Sequence, residues 1–175
     1  SFEEGISVLR GENVTEKKLR WDTHKKWNQS LDSRMKKCFL ESGDIVIGMD
    51  GSKVGKNWGM VSKYDLPLLL AQRVTSVRAK NNEDSGFIYI SMMVLNFEDY
   101  VSQVQTGTSI PHISGQQIAN FPIIIPSPDM LSLFGKKSQS LYDMVNLKIH
   151  QLKKLEELKD LLLAKMTRVE SEINA

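Results

Sequence analysis

The spacing of apolar residues changes near residue 126, and this change divides the chain into two parts. In the first part, short apolar runs bounded by turn residues predict strands over 45–49, 59–62 and 71–78. Residues 85–105 carry apolar positions at helical spacing and predict a helix, with a buried strand over 87–95 as the alternative. Strands and helices in one segment predict an α/β (mixed α+β) domain over residues 1–127.

The end of this domain contains signals for helix boundaries. Ser114 and Gln117 have the spacing of a capping box, which predicts a short helix over 115–120 that Pro122 ends. The three isoleucines at 123–125 predict a brief strand. Ser127 and the following proline are typical of an N-cap and a first helical turn, and Gly135 is expected to break or kink the helix that follows.

The second part, residues 128–175, has one long apolar stripe among lysines and glutamates. Its nine steps cover 32 residues, a mean step of about 3.6, which lies between a straight helix and a coiled-coil seam. The stripe consists of Leu141, Val145, Ile149, Leu152, Leu155, Leu158, Leu162, Met166, Val169 and Ile173. A helix longer than 30 residues extends about 50 Å, more than a small domain covers. We therefore expect a partner helix, with a helix folded back on its own domain as the alternative.

The basic residues are unevenly placed although the net charge is only +2. Residues 17–37 contain eight lysines and arginines against two aspartates, and Trp21 and Trp27 lie among them. A surface with this charge attracts phosphate, and aromatic side chains can anchor a nucleic-acid contact. The segment favours nucleic-acid binding, with an ordinary solvated loop as the alternative.

Composition indicates a globular protein, with 41% hydrophobic and 25% charged residues. The sequence contains neither an apolar run of membrane-spanning length nor a basic, apolar leader at its start. Cys38 is the lone cysteine, which fits a reducing cytoplasm, and we expect it to be a small buried residue.

Two motifs have the letters of catalytic sites but lack the required context. Residues 50–57 resemble a phosphate-binding loop, yet Asp50 and Asn57 replace its first glycine and its hydroxyl residue. A turn between two strands that exposes Lys53 and Lys56 is the simpler interpretation. Asp129 with Glu157 and Lys159 resembles a nuclease metal site, but the last two fall within the predicted long helix.

Other catalytic or metal chemistry has no signal in the sequence. The histidines, His24, His112 and His150, have no metal-ligand spacing, and no nucleophile elbow occurs. We expect His112 to be a structural or surface residue. The sequence therefore predicts no catalytic centre and no metal site.

Five segments, in this order, resemble the specificity subunits of type I restriction–modification enzymes. They are GISVLRGENV at 5–14, GDIVIGMDG at 43–51, LAQRV at 70–74, TGTSIPHIS at 106–114 and FPIIIP at 121–126, with Ile118 before the last. The resemblance covers nearly the whole chain and includes the long helix that follows. Residues 127–130 depart from the family because they lack the Glu-Gln pair often found where its helix begins.

The resemblance implies a target recognition domain that reads one half of a split double-stranded DNA site. It also implies a helix that pairs antiparallel with a second helix and docks methyltransferase subunits. Catalysis would lie in partner subunits: S-adenosylmethionine in the methyltransferase, and ATP and Mg²⁺ in the restriction subunit, with no cofactor in this chain. One domain and one helix correspond to half of a specificity subunit, which could form a homodimer.

Charge and position give the candidate DNA contacts. Phosphate contacts are predicted for Arg20, Lys25, Lys26, Lys53 and Lys56, and base or sugar contacts for Asn57, Gln105 and Thr106. Two alternatives remain open. One is a recognition domain from a fused restriction–methylation enzyme; the other is a protein–protein adaptor on a coiled-coil stalk that does not bind DNA.

Overall fold

Eight short strands and four α-helices form the described part of the chain. The structure is a computed structural model that describes residues 4–23, 25–107 and 109–173, with side chains as far as residue 167. It divides into two units, Ser1–Gln139 and Ser140–Ala175. Strands, three short helices and the start of the long helix form the first unit, and the rest of the long helix forms the second. The predicted α/β domain followed by a long helix is confirmed.

The strands form two three-stranded sheets and a small hairpin. Their bounds are β1 Ile6–Leu9, β2 Val14–Thr15, β3 Lys18–Leu19, β4 Lys25–Trp27, β5 Ile45–Gly48, β6 Trp58–Met60, β7 Leu68–Leu70 and β8 Val74–Val77. In the first sheet, β1 lies between antiparallel β4 and parallel β7. In the second, β5 lies between β6 and β8, both antiparallel to it. The hairpin joins β2 and β3.

Strand β5 is the central strand of its sheet, and every one of its residues is buried. A strand covered on both faces is apolar throughout rather than alternating, which explains the run at Ile45, Val46 and Ile47. Val46 packs in the main core cluster, whose other buried members are Leu9, Val14, Leu40, Val61, Leu68 and Val74. The core therefore holds β5 in place, and the loop at residues 49–57 follows its carboxyl end.

The helices are α1 Ser85–Val94, α2 Phe97–Val104, α3 Gly115–Ala119 and α4 Pro128–Ile173. The single helix predicted over 85–105 is thus two helices, and the alternative strand is wrong. The break falls at Asn96, whose φ of 52° places it in the left-handed region. Asparagine tolerates this conformation better than most residues, and here its side chain also bonds Asp99. The capping box at Ser114 and Gln117 is confirmed.

The structure differs from three other local predictions. Residues 123–125 form no strand, and Ile124 and Ile125 are 80% and 77% exposed. The strand predicted from residue 71 begins only at Val74, because Arg73 has a φ of 69° and turns the chain. Helix α4 continues through Gly135. A Cβ there would lie 2.6 Å from the Glu83 carbonyl oxygen, so the glycine permits a close backbone approach.

In the second unit, the apolar stripe of α4 is exposed. Eight of its members are more than half exposed: Leu141, Val145, Ile149, Leu152, Leu155, Leu158, Leu162 and Met166. The side chains of Val169 and Ile173 lie outside the described residues. None of the described helices combines the length and apolarity that crossing a membrane requires.

Candidate nucleic-acid interface

The loop at residues 49–57 connects β5 to β6 and exposes two lysines. Its base closes where the Gly48 amide donates to the Asn57 carbonyl at 2.9 Å, and tight turns follow at Gly51 and Lys53. Gly55 has a φ of 84° and packs so closely on α2 that an added Cβ would lie 2.9 Å from Val101. The interpretation of this segment as a turn between strands is confirmed, with Lys53 and Lys56 exposed.

A second loop, described at residues 105–107 and 109–113, lies against the first. Thr106 and His112 exchange backbone hydrogen bonds of 2.9 and 2.8 Å, which close the loop at its base. The Gly51 amide donates to the Pro111 carbonyl at 3.0 Å. These bonds bring Gln105 and Thr106 next to the loop that carries the two lysines.

The turn at residues 71–73, which leads into β8, completes a junction of three loops. The Met49 amide donates to the Arg73 carbonyl at 3.0 Å. The Asp50 carboxylate accepts from Arg73 Nη1 at 3.0 Å through one oxygen and contacts His112 Nδ1 through the other. We call residues 49–57, 71–73, 105–107 and 109–113 the three-loop junction. Backbone and side-chain bonds both hold it at the end of β5.

The exposed lysines of the junction are paired with carboxylates. Lys53 Nζ lies 2.9 Å from Glu16, at the turn between β2 and β3, and Lys56 Nζ lies 2.9 Å from Glu98 on α2. The hydrogen bond from Lys53 lowers the pKa of Glu16, and the bond to Glu98 raises the pKa of Lys56. All four side chains are about half exposed, and such ion pairs are weak in water. Exchanging a carboxylate for a phosphate therefore costs little.

The structure brings together five of the eight candidate DNA contacts. Lys53, Lys56, Asn57, Gln105 and Thr106 all belong to the three-loop junction. Lys25 and Lys26 lie on β4, an outer strand of the other sheet. Arg20 follows β3 and is paired with Asp22 at 3.3 Å.

Three side chains at the junction, Asp50, Arg73 and His112, were not among the predicted DNA contacts. Asp50 directly follows the strand predicted over 45–49, whereas Arg73 lies inside the strand predicted over 71–78. The contact between Asp50 and His112 gives the histidine the structural role expected for it.

The other lysines and arginines between residues 17 and 37 are exposed. Arg34, Lys36 and Lys37 lie in and next to a 3-10 helix at Met35–Cys38. Cys38 ends this turn and is exposed, so the expectation that it would be buried is wrong. Cys38 lies on a short surface turn, where Lys36 and Lys37 beside it are exposed as well.

The described residues contain no group of three or more histidine, cysteine or carboxylate side chains placed to hold a metal ion. Asp129, Glu157 and Lys159 all lie on α4. Glu157 pairs with Lys154 at 2.7 Å, and this hydrogen bond lowers its pKa. His24 lies outside the described residues.

Comparison with known proteins shows a match to one protein family. Residues 3–160 match the family model of the type I restriction modification DNA specificity domain. The chain is 25% identical over 160 residues to the type I restriction enzyme MjaVIII specificity subunit of Methanocaldococcus jannaschii, covering 90% of this chain and 38% of that protein.

Two further relatives are bacterial. Identity is 26% over 151 residues to the EcoAI specificity subunit of Escherichia coli, covering 82% of this chain and 25% of that subunit. It is 25% over 109 residues to the HindI specificity subunit of Haemophilus influenzae, covering 62% and 24%. The chain thus spans about a quarter to two-fifths of the length of these relatives.

Proposed function

This chain belongs to the type I restriction–modification DNA specificity domain family, and on that premise we propose that it reads one half of a split DNA site. The family match over residues 3–160 is the observation that carries the proposal. A protein–protein adaptor on a coiled-coil stalk accounts less well for that match. A recognition domain from a fused restriction–methylation enzyme would share the DNA reading and differ in its pairing.

We assign the three-loop junction as the DNA-facing surface. Its lysines stand on turns that backbone bonds hold in place, and DNA binding depends on cations fixed in register with the phosphates. Lys53 and Lys56 would exchange Glu16 and Glu98 for phosphates, which supplies salt-dependent affinity. Asn57, Gln105 and Thr106 have the donors and acceptors that contact bases or sugars.

The segment at residues 17–37 supplies a second basic surface in this proposal. Lys25 and Lys26 on β4, together with Arg20, would contact phosphates that the junction does not reach. The geometry supports this half of the surface less directly, because Lys25 and Lys26 lie on the outer strand of the other sheet. Single alanine substitutions test each surface on its own. The slope of log affinity against log salt falls only when the replaced residue contacts a phosphate.

Helix α4 would act as the spacer between two recognition domains. Helical residues 140–173 extend about 50 Å and carry an exposed apolar stripe, so an antiparallel partner would bury a long seam. A second copy of this chain would form a symmetric homodimer that reads a palindromic split site. The same helices would dock methyltransferase subunits and, through them, the restriction subunit.

Catalysis would lie outside this chain. In the proposed complex, the methyltransferase subunits use S-adenosylmethionine, the restriction subunit uses ATP and Mg²⁺, and this chain selects the DNA site. The chain then needs only a fixed surface of donors and cations, which is what the three-loop junction provides.

The test is a selection from duplexes with randomised positions, followed by affinity measurements over a salt series. We expect one enriched sequence, preferred over a scrambled duplex, and an affinity that falls linearly with salt on logarithmic axes. Light scattering should give a mass near twice 19.9 kDa. Binding without any enrichment, or no binding to duplex DNA at low salt, would refute the recognition function. A strict monomer at all concentrations would refute the homodimer alone.

A further inference from the structure

Two arginine–aspartate pairs lie at opposite ends of the same strand pair. Strands β5 and β8 are antiparallel, with Ile45 opposite Val77 and Gly48 opposite Val74. Asp44 precedes β5 and pairs with Arg78, and Asp50 follows the strand and pairs with Arg73. The two pairs are similar in type, so their differences indicate what each one does.

The guanidinium donors of Arg78 are bonded to groups within the protein. Its guanidinium donates to both oxygens of Asp44 at 2.7 Å, to Glu41 at 2.5 Å and to the Phe39 carbonyl at 3.2 Å. Asp44 is only 1% exposed. With both carboxylate oxygens and a backbone carbonyl occupied, this arginine has a structural role.

The pair of Arg73 and Asp50 is exposed to solvent on the arginine side. Among the described residues, the Arg73 side chain has one bond, from Nη1 to Asp50 at 3.0 Å, and the side chain is 73% exposed. A guanidinium has five N–H donors, so most of the donors of Arg73 face solvent. An exposed single contact of this kind adds little to stability. It does favour guanidinium orientations in which Nη1 faces Asp50.

The carboxylate that restricts Arg73 is itself held. Asp50 is 25% exposed and contacts His112 through its second oxygen, while the neighbouring Gly51 amide bonds the Pro111 carbonyl. The backbone of Arg73 is fixed as well, because its carbonyl accepts from Met49. The backbone of this arginine and one guanidinium nitrogen are therefore held, and the guanidinium donors that Asp50 does not bind remain available.

We propose that Arg73 is a specificity-determining residue that reads a guanine edge through O6 and N7, and that Asp50 is its positioning residue. The inference rests on the proposed DNA-reading function. A contact to phosphate needs charge more than orientation, whereas two parallel bonds to one base need a fixed guanidinium plane. A carboxylate at a DNA-binding surface repels phosphate, and orienting Arg73 gives it a function there.

The two roles of Asp50 predict opposite changes in the affinity for the selected duplex, so the substitution Asp50→Asn distinguishes them. If Asp50 only adds negative charge, its neutralisation strengthens binding to every duplex. If it positions Arg73, neutralisation weakens binding to the selected duplex while binding to a scrambled duplex is unchanged or stronger. The matched control is Glu41→Gln, which removes an exposed charge beside Arg78 at the other end of the strands.

The experiment uses the full chain, the duplex enriched by the wild-type protein and a scrambled duplex of equal length. Arg73→Ala should weaken binding to the selected duplex about 10-fold and to the scrambled duplex about 2-fold, the order expected for one lost bidentate base contact. Arg73→Lys should lose nearly as much selectivity, because an ammonium cannot form the fork. Asp50→Asn should weaken binding to the selected duplex about 3-fold. In a chain that already carries Arg73→Ala, adding Asp50→Asn should cause no further loss of affinity. Glu41→Gln should leave the preference for the selected duplex over the scrambled duplex unchanged.

Two results would overturn the assignment. Equal loss on both duplexes in Arg73→Ala, with Arg73→Lys retaining wild-type affinity, would make Arg73 a phosphate contact. Stronger binding of Asp50→Asn to both duplexes would remove the positioning role. Arg73→Lys decides the base contact even if Asp50→Asn disturbs the loops, because it alters only an exposed side chain. A wild-type chain that enriches no sequence would instead refute the recognition function, and the Arg73 assignment with it.

Discussion

Replacing Arg78 with methionine is expected to destabilise the first unit by about 2 kcal/mol, because it leaves the Asp44 carboxylate buried without its countercharge. Asp44 is 1% exposed and accepts two bonds of 2.7 Å from Arg78. It also accepts a bond of 2.8 Å from the Glu41 amide, which the substitution leaves in place. Methionine keeps most of the apolar stem, so the loss measures the charge and its hydrogen bonds.

The magnitude follows from burial. Breaking a fully buried ion pair by removing one partner costs about 3–5 kcal/mol. Arg78 is 46% exposed, so water can reach part of the Asp44 carboxylate once the guanidinium is gone. This solvation and the remaining amide bond reduce the expected loss to about 2 kcal/mol. Adding Asp44→Asn to Arg78→Met should restore about 1 kcal/mol, since the buried charge is then removed.

Urea unfolding followed by tryptophan fluorescence measures this loss, because Trp58 is 2% exposed in the core. Protein concentration must be the same for all variants, since self-association stabilises the folded state by mass action. Glu41→Gln is the control: its side chain is 69% exposed, and we expect a change below about 0.5 kcal/mol. An Arg78→Met loss as small as this control, or no recovery in the double variant, would refute the reasoning.

Three further outcomes follow from the junction and the long helix. Lys53→Ala should weaken binding to all duplexes equally and reduce the slope of log affinity against log salt by about one; an effect on one sequence only would make Lys53 a base contact. Gly55→Ala should destabilise the chain by about 1–3 kcal/mol in urea unfolding, because residue 55 has a φ of 84° and an added Cβ meets Val101; an unchanged midpoint would contradict the close approach. Leu155→Asp with Leu158→Asp should convert a dimer to a monomer in light scattering, with circular dichroism of the strands retained; a persistent dimer would exclude this stripe as the seam.

Local signals in the sequence were sufficient for much of the fold. The long stripe of α4, the capping box at Ser114 and the apolar run of β5 each follow from a periodicity or a short motif that acts within one element. The division of the helix at Asn96 did not follow, because the apolar positions on both sides continue the same helical spacing. A left-handed residue interrupts the backbone without interrupting that pattern.

Part of the candidate site was likewise predictable from local sequence, and part was not. The sequence indicated that Lys53 and Lys56 lie on an exposed turn, because glycines and polar residues between two apolar runs specify a turn locally. It could not indicate that Gln105 and Thr106 meet that turn, nor that Asp50 joins Arg73 and His112. Those contacts depend on how β5, β8 and the segment after α2 pack together.

By itself, then, the sequence determined the element types, the order of two dissimilar parts and the presence of basic turns, since each is set by residues close together in the chain. Only the tertiary structure decided which side chains converge. The partners of Asp50 lie 23 and 62 residues away along the chain, and β1 pairs in parallel with the distant β7. Contacts of such separation are selected by the packing of the whole core rather than by local preference. This is why the three-loop junction became visible only in the fold.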